Sequence, residues 1–304
     1  MQIEVRENFE IKDLTTFKVG GKVARLYLPK SQSELVYLLK TLDDYILLGN
    51  CSNVLFSSQG YDGNVILTTG LKYYDIRGTL VIAECGVKGP LLSQKAAEAG
   101  LSGFEFMIGF PGTIGGEVCM NASAHGQAIS DRLLRCCLFD KDTKEVVYKE
   151  KSEMGFSYRS SLLKSGRYVL LGAEFELTKG ESTEIKALMD RNLENRQNVQ
   201  PKLTHPNAGS VFKNPPNDSA GRLLEKAGAK SLKYNGAEVW EKHANFIVNE
   251  KNATSEDVLG LMLKMYTAVK EMFTIELVPE IVFAGNKTEN EEEICKILYQ
   301  KNQE

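Results

Sequence analysis

Apolar positions along the chain change their period several times, and each change predicts an element. "VARLYLP" (residues 23–29) is a run of strand formers closed by a proline and predicts a β-strand. Ser31, with Glu34 three residues later, predicts a helix start ahead of "LVYLLKTL". The short apolar run "DYILLGN" (44–50) predicts a second strand that opens into a polar loop at Asn50. Together these make a compact β-α-β unit, expected to be a small first domain over residues 1–60. From Asn64 the texture changes to "NVILTT", "TLVIAEC", "RLLRCCLF", "EVVY" and "YVLLGAEFEL", strand-like runs rich in Val, Ile, Leu and aromatic residues. Between them "GPLLSQKAAEAG" predicts one helix, with Pro90 early and Gly100 just past its end. A middle α+β domain over 61–198 is expected, left through the polar helical segment "STEIKALMDRNLENRQN".

Beyond "QPKLTHP" a third region over 199–285 is expected. It holds a short helix ("SAGRLLEKAG"), a strand ("NFIVN") and a long amphipathic helix. The long helix carries Val258, Leu261, Met262, Met265, Val269 and Met272 at helical spacing, with Thr254 as its N-cap. Its methionines read as core filling. "IELVPEIVFAG" (275–285) predicts a closing strand. The charged tail 286–304 is expected to be peripheral or partly disordered.

Composition narrows the function classes. A chain of 304 residues suits two or three domains. Its net charge of -3 argues against electrostatic coating of nucleic acid but leaves room for a local basic site. The six cysteines include no C-x-x-C pair, which argues against thiolate zinc ligation and dithiol redox chemistry, and nothing matches H-E-x-x-H, so no metal site is expected. The N-terminal "MQIEVRENFEIKD" has no apolar core of a secretory signal, and no apolar run reaches the roughly 20 residues of a membrane helix. Free thiols then fit the reducing cytoplasm. No nucleic-acid or membrane partner is expected.

Five strings could carry chemistry. In "LLGNCSNVLF", a strand running into Gly49, Asn50, Cys51, Ser52 and Asn53 is either an ordinary turn or a loop aiming N–H groups at a phosphate. In "IGFPGTIGGEVCMNASAHG", the set Gly109, Pro111, Gly112, Thr113, Gly115, Gly116 and Asn121 is either structural or allows close approach of a bulky ligand. It is neither G-x-G-x-x-G nor a P-loop. In "GFSYRSSLLK", Arg159 between Tyr158 and two hydroxyls suits a carboxylate or phosphate, or is a surface residue beside a turn. In "PNAGSVFKNPP", Ser210 lacks the context of a triad nucleophile but can donate a proton, and Lys213 and Asn214 offer a charge and an amide to an anionic substrate. Glu280 in "LVPEIVF" is a carboxylate inside an apolar run, so it marks an exposed edge or a functional acid.

Taken in order, "TTFKVGGKVARLYLP", "LLGNCSNVLF", "GFPGTIGGEVCMNASAHG", "YRSS", "AGSVFKNP", "AGRLLEKAGAK", "KHANFIVN" and "PEIVFAG" resemble the flavin-dependent UDP-N-acetylenolpyruvoylglucosamine reductases over roughly residues 13 to 285. The resemblance implies an α+β FAD-binding fold of the vanillyl-alcohol oxidase type, with a third α+β domain over the substrate. It implies non-covalent FAD cradled by the two glycine-containing loops, NADPH as electron donor and a UDP-sugar as substrate, in the shorter subtype without the tyrosine-bearing insertion. A cytoplasmic monomer is expected. Arg159, Ser210 and Glu280 match the family's three catalytic positions. Their implied roles are to stabilise an enolate, to protonate C2 and, for a protonated Glu280, to donate a hydrogen bond. Two positions depart from the family strings: Cys51 stands where a second glycine is usual, and Ser123 replaces a glycine of N-A-G-A. Cys51 is expected to narrow the space near FAD. Another FAD-dependent oxidase or dehydrogenase of the same fold is the alternative, and a non-catalytic nucleotide-binding module is a second.

Overall fold

A computed structural model describes residues 2–202 and 204–300. Seven helices are labelled here: α1 (Gln32–Thr41), α2 (Gly89–Glu98), α3 (Ile114–Cys119), α4 (Ser182–Val199), α5 (Ala220–Lys226), α6 (Ser255–Phe273) and α7 (Glu289–Tyr299). A four-stranded sheet runs in the order Glu4–Glu10, Lys22–Leu28, Tyr61–Leu67, Ile46–Leu48. Its last two strands pair in parallel, although no helix lies between them in the chain; the strand before α1, Lys22–Leu28, is separated from Ile46–Leu48 by Tyr61–Leu67. At the head of α1 the Ser31 hydroxyl accepts from Glu34 N–H, while the Glu34 carboxylate reaches back one residue further than expected, to Lys30 N–H.

The chain packs as two compact units, each drawn from separate stretches of sequence. One gathers Met1–Val5, Leu26–Asn50 and Asn64–Arg196, the other Arg6–Arg25, Cys51–Gly63 and Gln197–Glu304. Residues 1–60 contribute to both.

The first unit is built on a five-stranded antiparallel sheet in the order Glu145–Glu150, Leu133–Asp140, Tyr168–Glu176, Leu80–Glu84, Tyr74–Arg77. Alternating inward residues of these strands and the apolar faces of α1 and α2 share one core that includes Leu35, Val81, Leu92, Phe139 and Phe175. Phe104 meets Phe175 edge-on at 5.2 Å, a favoured aromatic geometry. Pro90 occupies the first turn of α2, where its missing N–H costs nothing. The polar helix α4 buries Ile185, Met189 and Asn192.

The second unit carries a three-stranded antiparallel sheet (Lys233–Tyr234, Ala237–Val239, Ile247–Asn249) and a parallel pair of Val54–Phe56 with Val282–Ala284. Its longest element is α6, whose capping box is reciprocal: Thr254 Oγ1 accepts from Asp257 N–H, and Asp257 accepts from Thr254 N–H. Val258, Leu261, Met262, Met265 and Val269 are buried as expected, but Met272 in the final turn is exposed.

Two expectations are corrected in this unit. The closing strand covers only Val282–Ala284, because Pro279 has no N–H to continue a ladder and leaves residues 275–281 as an extended segment with one isolated bridge, Phe212 to Pro279. The charged tail, expected to be peripheral or partly disordered, forms α7 over Glu289–Tyr299; its last residues, 301–304, lie outside the described set. Ile294 and Leu298 of α7 enter the unit's core. Thr288 caps the helix over Glu291, and the buried Glu291 accepts from Ser255 Oγ at 2.5 Å. No helix among the described residues is long and apolar enough to cross a membrane.

Candidate active site

In the first unit the two glycine-containing loops come together. Strand Ile46–Leu48 delivers Gly49 and Asn50 against residues 111–113. Asn50 Nδ2 donates to Pro111 O at 2.6 Å. A β-carbon on Gly49 would stand 2.5 Å from Thr113 Oγ1, so only glycine admits this approach. The second loop is stitched down by Ile114 N–H to Val87 O and Gly115 N–H to Cys85 O. Gly116 is open, with no atom within 4 Å of where its β-carbon would be.

Two residues of this region were not legible as site residues. Arg196, on α4, has its side chain against Gly109, with Cδ 2.7 Å from a β-carbon built there. Burial pulls its guanidinium down to about 10. Glu117, on α3, is buried with both carboxylate oxygens lacking a hydrogen-bond partner, and burial pushes it up to about 8. A β-carbon on Gly89 would collide with that carboxylate. Thr113 Oγ1 is likewise buried without a partner. A buried cation beside Gly109, a buried Thr113 hydroxyl without a partner among the described residues and open space at Gly116 fit an anionic dinucleotide.

The same unit sets Arg159 in a tight turn. Ser157 and Ser160 exchange both backbone hydrogen bonds, and Arg159 sits between them at φ +54°. Its guanidinium lies over the Tyr158 ring at 5.4 Å and donates from Nη1 to Ser123 Oγ at 3.1 Å. The departure at Ser123 thus supplies an acceptor to Arg159. Asn121 braces the same turn, donating from Nδ2 to Ser157 O at 3.0 Å.

The second unit brings Ser210 and Glu280 onto adjoining segments. Residues 211–213 lie between two others. On one side Val211 N–H donates to Asn245 O, and the Asn245 side chain bonds both the N–H and the C=O of Phe212, at 2.9 and 2.8 Å. On the other side Glu280 N–H donates to Val211 O, and Lys213 N–H to Val278 O, each at 2.8 Å. Glu280 is therefore registered on the residue that follows Ser210. Asn53 fixes the Glu280 peptide further: its Nδ2 donates to Glu280 O at 2.9 Å and its carbonyl accepts from Val282 N–H. Gly209 takes φ +76° and donates to Asn207 Oδ1. Thr16 Oγ1 ties this loop to the first by donating to Asn207 O at 2.7 Å, with Cys51 O at 3.3 Å.

Cys51 takes a left-handed backbone, φ +52°, where glycine is at ease. Its thiol is buried and pushed up to about 12. The carbonyl of Ser52 lies 3.9 Å from where a β-carbon on Gly209 would be. Asn214 Oδ1 accepts from Ala220 N–H at the head of α5, so the oxygen of its amide is engaged within the fold.

The family model "FAD binding domain" matches residues 23–147, and the model "UDP-N-acetylenolpyruvoylglucosamine reductase, C-terminal domain" matches residues 200–284. The reductase of Caldicellulosiruptor bescii is 43% identical over 288 residues, covering 93% of this chain and 91% of its own. That of Enterococcus faecalis is 37% identical, covering 91% and 93%. The crystal structure of the Thermus caldophilus reductase superimposes with a TM-score of 0.80 at 34% identity, over 93% of this chain and 99% of that one. At this identity and coverage, the chain belongs to the UDP-N-acetylenolpyruvoylglucosamine reductase family.

Proposed function

We propose that this protein uses NADPH and non-covalently bound FAD to reduce the enolpyruvyl group of UDP-N-acetylglucosamine-enolpyruvate to UDP-N-acetylmuramate, as a cytoplasmic monomer supplying peptidoglycan synthesis. Family membership along nearly the whole chain carries this reading. The registration of Glu280 on the residue after Ser210 supports it from the side of the chemistry.

When bound, FAD supplies the redox step, a hydride taken from NADPH and passed to C3 of the enolpyruvyl group. Gly49, Asn50, Cys51, Ser52, Asn53, Gly109, Pro111, Gly112, Thr113, Gly115, Gly116 and Asn121 form the loops assigned to it. Arg196 adds the positive charge that its phosphates need. Asn53 and Asn121 serve through the segments they brace, Glu280 and the 157–160 turn. Residues 1–60 and 61–198 thereby carry the flavin function and 199–285 the substrate function.

Hydride arrival at C3 leaves negative charge at C2, delocalised into the adjacent carboxylate. Arg159, held over Tyr158 and against Ser123, offsets that charge. Ser210 Oγ delivers the proton to C2, and Glu280 in its protonated form donates a hydrogen bond that keeps the enolate in place. Tyr158, Lys213 and Asn214 engage the remaining polar and anionic groups of the UDP-sugar. Mass spectrometry of a reaction with NADPH tests the assignment: the product gains two hydrogen atoms and keeps its UDP moiety. An unchanged UDP-sugar with NADPH oxidised only by oxygen favours an oxidase of the same fold.

A further inference from the structure

Helix α7 lies beyond residue 284, where the matched C-terminal family model ends, yet it is firmly seated. Ile294 and Leu298 are buried in the core of the second unit. Ser255 Oγ donates to Glu291, and Ser255 and Ser58 exchange backbone-to-hydroxyl bonds at 2.8 and 2.9 Å. Asn290 Nδ2 donates to Glu256 at 2.7 Å. A charged terminal helix anchored at this many points is a rigid support.

Its last turn delivers one polar group to the segment of Glu280. The half-buried Tyr299 donates from its hydroxyl to Ile281 O at 2.9 Å. Burial pushes the phenol above its ordinary range, so the hydroxyl keeps its proton. The peptides around Glu280 are then held at four places. Glu280 N–H goes to Val211 O, Glu280 O accepts from Asn53, Ile281 O accepts from Tyr299, and Val282 N–H goes to Asn53 O. Three of these bonds come from loops assigned to the site. The fourth comes from α7 alone.

We propose that Tyr299 is a positioning residue for the carboxyl of Glu280, and that α7 is a working part of the reductase. Its hydroxyl fixes the carbonyl of Ile281, the residue after Glu280, and so restrains the segment from which that side chain leaves the backbone. The inference rests on the catalytic reading of Glu280. Misplacing a catalytic group slows the chemical step more than it weakens binding.

The test is stopped-flow spectroscopy of the FAD-loaded enzyme without oxygen, following flavin bleaching by NADPH and its return on adding the enolpyruvyl UDP-sugar. Tyr299→Phe keeps the ring in its pocket and removes only the donor. It should leave bleaching unchanged and lower the limiting rate of return roughly three- to tenfold, with the half-saturating sugar concentration unchanged. In a Glu280→Gln background, Tyr299→Phe should cause no further loss. A wild-type rate of return in Tyr299→Phe overturns the inference. So does an equal loss with and without Glu280, or a parallel slowing of both half-reactions, which would mark a general structural defect. If Glu280→Gln alone returns at the wild-type rate, the catalytic reading of Glu280 fails first, and the role of Tyr299 with it.

Discussion

Asn245 offers the sharpest test of how the site is framed. Its side chain is buried and satisfies both backbone groups of Phe212, itself 1% exposed. Asn245→Ala leaves a buried N–H and a buried C=O unpaired at once. Each such group costs about 1–3 kcal/mol, and water entering the space left by the amide recovers part of it, so a net loss of about 3 kcal/mol is expected. At about 2–4 °C per kcal/mol for a unit of this size, thermal unfolding followed by circular dichroism should fall by roughly 6–12 °C. The neighbours of Phe212 should feel the change, because Val211 carries the bond to Glu280 and follows Ser210. Asn245→Ala should therefore also slow the oxidation of reduced flavin by the UDP-sugar, while its reduction by NADPH persists. Asn245→Asp should be no more stable than the alanine variant, since it sets a carboxylate against the Phe212 carbonyl. An alanine variant that melts within about 2 °C of wild type and turns over normally would refute the clamp.

Three further outcomes follow from buried groups. Glu117 is raised from 4.5 to about 8, so folding takes up a proton between those values and stability falls as pH rises through that window; in denaturant titrations Glu117→Gln should flatten this dependence and be the more stable protein at pH 8.5, and parallel pH profiles would contradict it. Cys51, Cys85 and Cys136 are each pushed up to about 12, so only about one part in ten thousand is thiolate at pH 8; iodoacetamide labelling of the native protein read by peptide mass spectrometry should leave all three unmodified, and rapid labelling of Cys51 would be the contrary result. Arg196→Met should weaken FAD binding about 10- to 100-fold in fluorescence titrations of the apoprotein without lowering its melting temperature, and unchanged affinity would remove Arg196 from the cofactor site.

Much of the fold was readable because local signals agreed with tertiary ones. The capping residue Thr254 and the apolar spacing of Val258 to Val269 predict α6 and its inward face together. Helix α7 was missed although Thr288 and Glu291 stand at capping-box spacing and Ile294 and Leu298 one turn apart, because the density of glutamates masked a narrow apolar stripe. The closing strand was over-extended because apolar content outweighed the missing N–H of Pro279. Candidate residues were identified from short strings, but strings do not say which side chains brace the fold. Asn53, Asn121 and Asn214 each bond groups distant in sequence or cap a helix, partners that only the folded chain brings near. Arg196 and Glu117 carried no signal: one is an arginine in a polar helix, the other a glutamate beside two glycines, and only the burial of both, with the Glu117 carboxylate left without a partner among the described residues, singles them out. At Cys51 the folded chain shows a left-handed backbone and a buried thiol, neither of which the string announced.

The most direct test of the reductase assignment is the visible absorption spectrum of the purified protein, recorded without oxygen. Flavin bands that bleach with NADPH and return only on adding UDP-N-acetylglucosamine-enolpyruvate are the predicted result. A protein that takes up no FAD, or whose bleached bands ignore the UDP-sugar and return only in air, would contradict it.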